Sequence, residues 1–478
     1  MKTNHQKGSA LIFALILLLV LSVSAASLMF LAQSETWSGA NYKMMTQTRY
    51  GAEAGLNAAA NYLMFTYVPP ANMTGYNLGV YPLTNATGNV VLSSRSDVAS
   101  NYPDSAVVSA FNTATNSSSS GNSLSAGVNT INYSASAKLL SMVQITPFGS
   151  TTPMMIQTWE ITAHGDIAGV RNGQSEVTAI MEREIAPTFA YAAFATNSGC
   201  GSLSFTGNGN TDSYDSGSLS LNADGSATTT PTFQNYGGNV GTNGNQSDSG
   251  NNVQINGTLS TPRTGVGACT AGNVTALSGS TTAITGGIVE LPQALTMPTP
   301  TLTAPPAGSP DINGTQTIGP GNYGDINLSG NKTLSLQPGT YNINSLSLSG
   351  NSTFQLVPDP ITGKYGKVVI NVTGSGNSTP ISITGNGFSN PTYDPSMLQF
   401  LYAGTGTIKI AGNGASAAVV YAPNATVSFN GNGAFYGSVI ASNLTDVGNG
   451  SIHYDRRLSN RPYTVGNYML NSFSWSKF

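Results

Sequence analysis

Residues 7–35 read KGSALIFALILLLVLSVSAASLMFLAQSE, and the fold of the whole chain turns on how this stretch is used. From Ala10 to Ala32 it carries no charge and is mostly Leu, Ile, Val and Ala. As a helix it extends about 34 Å, enough to cross a hydrocarbon layer of about 30 Å. Lys2 and Lys7 precede it, which favours an amino end held in the cytoplasm. A secretory signal has a shorter apolar core and a small-residue cleavage site, which the serines and alanines of Ser22 to Ser27 imitate.

The residues beyond this run argue for an anchor that stays. Trp37, Ala40, Met44, Thr48, Ala52, Leu56, Ala59 and Leu63 recur every three or four residues and draw one stripe. Glu35, Lys43, Arg49 and Glu53 lie beside or opposite that stripe. The pattern predicts one helix over 9–66, about 85 Å long, with its transmembrane part at 10–32. Gly39, Gly51 and Gly55 weaken it by up to about 1 kcal/mol each, and Pro69 and Pro70 end it. Trp37, Met44, Leu56 and Leu63 are the expected packing residues, with the lower half of the helix seated on a head domain.

KGSALIFALILLLVLSV, then SETW and TRYGAEAGLNAA, resembles the amino terminus of type IV pilin-like proteins, specifically PilX-type minor pilins. The resemblance implies a prepilin leader over 1–8 that a prepilin peptidase removes between Gly8 and Ser9. It implies as partners membrane lipid, other pilin-like subunits and the pilus assembly machinery. It places the protein in the bacterial inner membrane, single-pass, with its carboxyl-terminal part outside the cytoplasm, at a pilus or the cell surface. Major pilins carry glutamate at the fifth mature position, where this chain has Phe13. An apolar residue there suits plain residence in lipid, because an unpaired glutamate in hydrocarbon is costly.

The bulk composition excludes several functions. Of 478 residues only 8% are charged, against about 25% in ordinary soluble domains. The net charge is −3, and the basic cluster Arg456, Arg457 and Arg461 is too small to support a nucleic-acid partner. The 55 glycines among many Asn, Ser and Thr suggest order held by turns, since 39% of residues remain hydrophobic. The two cysteines, Cys200 and Cys269, are candidates for one disulfide closing a long loop outside the cytoplasm.

Residues 71–135 are rich in Asn, Ser, Thr and Gly and read as a loop or insertion. Over 136–190 three extended runs alternate with period two. Met155, Trp159, Ile161 and Ala163 share one face of the second run, with Thr158, Glu160, Thr162 and His164 opposite. In the third, Val177, Ala179, Met181 and Ile185 oppose Glu176, Glu182 and Glu184. This is an antiparallel, pilin-like sheet with one buried side, and the helix stripe is its natural mate. His164, beside Gly165 and Asp166, is assigned a turn hydrogen bond.

From 191 to 455 one phrase returns: LSFTGNG, INLSGN, LSLSGN, ISITGNG, IKIAGNG, VSFNGNG, DVGNG. Each joins a short alternating strand to an Asn/Gly turn, where left-handed backbone is easily adopted. The turns starting at Gly330 and Gly350, and at Gly412, Gly431 and Gly448, recur every 17 to 20 residues, with Gly385 inside the long gap. That interval suits one coil of a parallel β-helix (β-solenoid), with Leu346, Leu348, Val427, Phe429 and Phe435 inside. A β-sandwich of short strands is the alternative. The proline-rich run near 292–310 reads as a linker between two blocks of coils, Tyr421, Pro423 and Asn424 as a corner, and 456–478 as a tail that caps the open end. SFTGNGNTDSYDSG and the segment from AVVYAPNATVSF to SIHYD resemble parts of large PilX-like surface proteins, which implies no enzymatic activity.

The expected fold is therefore mainly β: a long pilin-like helix, a small antiparallel α+β head, then the solenoid. No cofactor, metal centre or catalytic residue is expected. Asp212 and Asp215 are weak calcium candidates, better explained as turn-capping acids. The functional expectation is a minor pilin-like structural subunit of a type IV pilus or pseudopilus that presents its solenoid for assembly or adhesion to a glycan or surface ligand. The alternative is an envelope-anchored protein that binds or cleaves polysaccharide.

Overall fold

The computed structural model describes residues 7–121, 123–126, 129–167, 173–248, 252–262, 277–278, 283–291, 293–384, 386–411, 416–431, 433–460 and 463–477. The chain divides into two compact units. One comprises Met1–Gln144, Met155–Arg183 and Tyr468–Phe478; the other comprises Ile145–Met154 and Glu184–Asn467.

In the first unit a single helix, α1, runs Lys7–Phe65. Its lower half buries Ala52, Leu56, Ala59, Ala60 and Leu63 against Trp159, Ile161, Ala163, Val177 and Ala179. The sheet beneath comprises β1 (Val91–Ser93), β2 (Asn129–Ile145), β3 (Met154–Ile167), β4 (Gly173–Pro187) and β5 (Tyr463–Lys477), in spatial order β5-β4-β3-β2-β1. Strand β3 alternates buried and half-buried residues from Thr158 to Ile167, as its period-two sequence requires. Ile185 departs from the pattern read for the third run: it is 43% exposed, because it lies beyond Met181, the last residue of β4 buried against the helix.

Two expectations need correction here. Residues 71–135 contain more than a loop, since α2 (Ser105–Thr115) packs Phe111 into the head core. Asp104 caps this helix by accepting from the Ala106 and Val107 amides. Of the tail 456–478, Leu458 is buried in the solenoid core, and the segment that follows is a strand. It returns as β5, the edge strand of the head sheet beside β4, with Tyr468 and Leu470 against the head core. In chain order the solenoid is thus an insertion between two neighbouring strands of the head.

The second unit is a stack of short parallel strands. One sheet has 20 strands and another has four among the described residues. Successive coils place Ile326, Leu346, Ile381, Ile408, Val427 and Leu444 in one interior column. Tyr341, Ile370, Phe400, Val420 and Ile440 form a second column. Each column is a dry ladder in which every coil covers its neighbour's apolar face. Gly330 (φ 73°) and Gly350 (φ 68°) hold the left-handed turns predicted for them, while Gly385 and Gly412 lie outside the described residues.

The order of coils differs from a simple climb along the chain. Strands Ala193–Ala195, Leu203–Gly207 and Asn210–Tyr214 form the first coil, and they pair with the last, through Val439–Ala441, Leu444–Gly448 and Ser451–Asp455. The coil at Val240–Thr242 and Gln246–Asp248 covers the other side of the first. After Glu290 the described residues form no strand until Gln316, apart from a single bridge at Ile312, and the chain then winds back coil by coil until it meets its own start. The proline-rich linker is held along this route. Tyr421 Oη donates to the Pro298 carbonyl (2.7 Å), Asn424 donates to Thr299 Oγ1 (2.9 Å), and Asn243 exchanges two bonds with Leu295.

Candidate functional site

The upper half of α1 is the first candidate. From Leu11 to Leu31 every large apolar side chain is at least half exposed, and Phe13 is 72% exposed. Its hydroxyls are satisfied within the helix: Ser22, Ser24 and Ser27 donate to the carbonyls of Leu19, Val20 and Val23. The segment therefore shows neither charge nor unsatisfied hydroxyl to a hydrocarbon environment. The helix meets the bilayer-spanning criteria of length and composition, and the same rod continues into the head core.

The packing residues sort themselves along this rod. Leu56 and Leu63 are buried in the head, Met44 is half-buried, and Trp37 is 61% exposed. The sheet buries the helix at Gln47 and Thr48, where Thr48 Oγ1 lies 2.7 Å from Ser175 Oγ. The Gly8–Ser9 junction falls within the first turn of α1, and residues 1–6 of the leader lie outside the described residues. His164 makes a cross-strand contact. Its Nε2 meets Glu176 Oε2, which also accepts from Arg95 (3.1 Å).

The seam where last coil meets first is the second candidate, because it gathers the buried acids of the solenoid. Pairing of Asp212 with His453 in parallel register brings Oδ1 to 2.5 Å from Nδ1, and Phe233 stacks on the imidazole at 3.8 Å. Asp455 accepts from Ser216 Oγ (2.6 Å), Ser216 N (3.1 Å) and Arg457 N (3.2 Å). Burial pushes its carboxyl up to about 6 despite these bonds. Asp446 sits in the same seam with both oxygens buried and unbonded, and burial raises it also to about 6.

The calcium candidates do not converge. Asp212 is taken by His453, while Asp215 caps the short turn Ser216–Ser218 by accepting from Gly217 N (2.8 Å). Among the described residues no three His, Cys, Asp or Glu side chains stand together as a metal site. Cys200 is disulfide-bonded; Cys269 lies outside the described residues, as does Arg461. The Asp212–His453 pair went unread in the sequence, although a signal for it exists. Setting LSFTGNGNTD of the first coil against LTDVGNGSIH of the last aligns Asp212 with His453 and Phe205 with Asp446.

A membrane-length helix rooted in an α+β head, with a parallel β-solenoid inserted into that head, defines a helix-anchored solenoid protein. Residues 7–57 match the family model described as PilX N-terminal. Residues 309–461 match a domain of unknown function, DUF7305, and this match begins as the linker ends and spans the returning block of coils. Among solved structures, the competence-associated pilin ComZ from Thermus thermophilus matches at 12% identity with a TM-score of 0.29, covering 91% of this chain and 98% of that one. No curated protein matches the chain. The chain thus carries a PilX-type amino-terminal segment, in keeping with a pilin-like, membrane-anchored organisation.

Proposed function

We propose that this protein is a minor pilin-like structural subunit of a type IV pilus or pseudopilus, held in the inner membrane before assembly and presenting its solenoid outside the cytoplasm. The observation that carries the reading is the continuity of α1. Its exposed apolar half suits lipid, and it suits equally a bundle of like helices, so transfer from one to the other needs little free energy. A prepilin peptidase cutting between Gly8 and Ser9 and the pilus assembly machinery are the partners this role requires. The solenoid acts as a scaffold without cofactor or catalysis, in contact with a glycan or other surface ligand. So large an inserted module, Glu184–Asn467, would crowd a filament if borne by every subunit, which favours a rare or tip position.

Imaging of labelled protein on sheared filaments and on membranes tests the role. Sparse label on filaments, concentrated at ends, with the remainder in the inner membrane, is the expected result. Label confined to membranes in cells that make filaments would contradict it.

A further inference from the structure

One interior column of the solenoid carries a fully buried acid. Through successive coils it runs Leu328, Leu348, Ile383, Ile410, Phe429, Asp446, Phe205 and then the half-buried Asp248. Asp446 is 1% exposed, and neither carboxylate oxygen has a hydrogen-bond partner. Its room is made by two turn glycines: a methyl on Gly450 would stand 2.7 Å from Oδ1, and one on Gly209 3.1 Å from Oδ2. An ionised carboxylate with no partner in such a place costs several kcal/mol, so the site has a strong demand for a counter-charge.

Asp446 is one of the residues that line a cavity. Its other walls include Ile383, Ile410, Phe429, Phe435 and Ile452, and among the described residues no basic side chain lines it. The space is about 420 Å³ with its open side counted, of which about 30 Å³ admits the centre of a water-sized group. The occupant that answers this chemistry brings one positive charge, several N–H donors and a slender apolar stem. Calcium wants six to eight oxygens, which one carboxylate and apolar walls do not offer. A primary ammonium has three donors on one compact head.

We propose that this cavity binds an unbranched primary alkylammonium group, whose N–H bonds go to Asp446 while the aliphatic and aromatic walls cover its stem. The site stands independently of filament assembly. The small volume of the enclosed space favours a linear stem over a ring-borne amine.

The test uses purified full-length protein in detergent at pH 7.5, with hydrogen exchange of the amides in 434–455 as the readout. Ethylammonium chloride is the probe; sodium chloride and tetramethylammonium chloride at equal ionic strength lack its donors, and glucosamine hydrochloride carries its amine on a ring. At ten times its Kd, ethylammonium should slow exchange about tenfold, with saturation. Asp446→Asn should abolish the response. Ala411→Leu, which fills the cavity from its wall and leaves the carboxylate in place, should abolish it too and covers the case in which the first variant misfolds. Equal protection by sodium or tetramethylammonium, no response to ethylammonium, or an undiminished response in either folded variant would overturn the site. Equal or stronger protection by glucosamine would overturn the linear-stem assignment.

Discussion

Gly165→Val should unfold the head. Gly165 lies in β3 directly under α1, and a Cβ there would land on the Thr48 carbonyl oxygen, the Ala52 nitrogen and the Gly51 carbonyl carbon. All three are backbone, so no rotamer change relieves the clash. The helix must withdraw, and Ala52, Leu56, Ala59 and Leu63 lose their contacts with Trp159, Ile161 and Ala163. Overpacking compounded by lost burial should cost more than about 4 kcal/mol, a large fraction of the roughly 5–15 kcal/mol that holds an ordinary domain folded. The amides of β3 and β4 should lose exchange protection in detergent-solubilised protein. Gly39→Ala is the matched control: nothing lies within 4 Å of a methyl there, so the exposed helix should gain up to about 1 kcal/mol. A Gly165→Val head that keeps its protection would mean the helix is not seated on the strand as described.

The second large effect concerns pH. Asp446 has an ordinary value of 3.8 and a folded value of about 6, so folding favours its protonated form. Its burial carries no electrostatic penalty below pH 3.8, and stability is then lost as the pH rises through 6. By pH 8 the loss is about 3 kcal/mol. Asp455 adds a loss of the same sign, tempered by the bonds from Ser216 and Arg457. The solenoid should therefore be more stable at pH 5 than at pH 8. Asp446→Asn removes the charge at nearly constant shape and should flatten most of that dependence. The variant should match or exceed the natural protein at pH 8 and fall below it near pH 4, where the neutral acid is already accommodated. Denaturant unfolding of the solenoid at the two pH values checks this. An unchanged pH slope in the variant would show that Asp446 is not the buried acid responsible.

Local features of the fold were legible because they repeat at short range. WEITAHGDI declares a half-buried strand through its alternation, and the 17 to 20-residue return of Gly and Asn declares a coil. Gly51 and Gly165 were harder to read. In the sequence they only weaken a helix and punctuate a strand, and their purpose, the close approach of two backbones, exists only after folding. Coil order was hidden for a related reason. The partners of Leu203–Gly207 lie at Leu444–Gly448, and no local pattern tells a parallel strand whether its neighbour is the next coil or the last. The tail YTVGNYMLNSFSWS reads as a cap from its aromatics, but its place beside β4 depends on an edge created nearly three hundred residues earlier. Helix α2 was obscured by Val, Thr and Asn, poor helix formers, with Asp104 as its surviving signal.

Mass-spectrometric determination of the amino terminus of the membrane-extracted protein tests the anchor most directly. The expected first residue is Ser9, on a chain that still carries Ala10 to Ala32 and remains with the membrane or filament fraction. A first residue near Leu28, on protein released into solution, would contradict the retained helix and the role built on it.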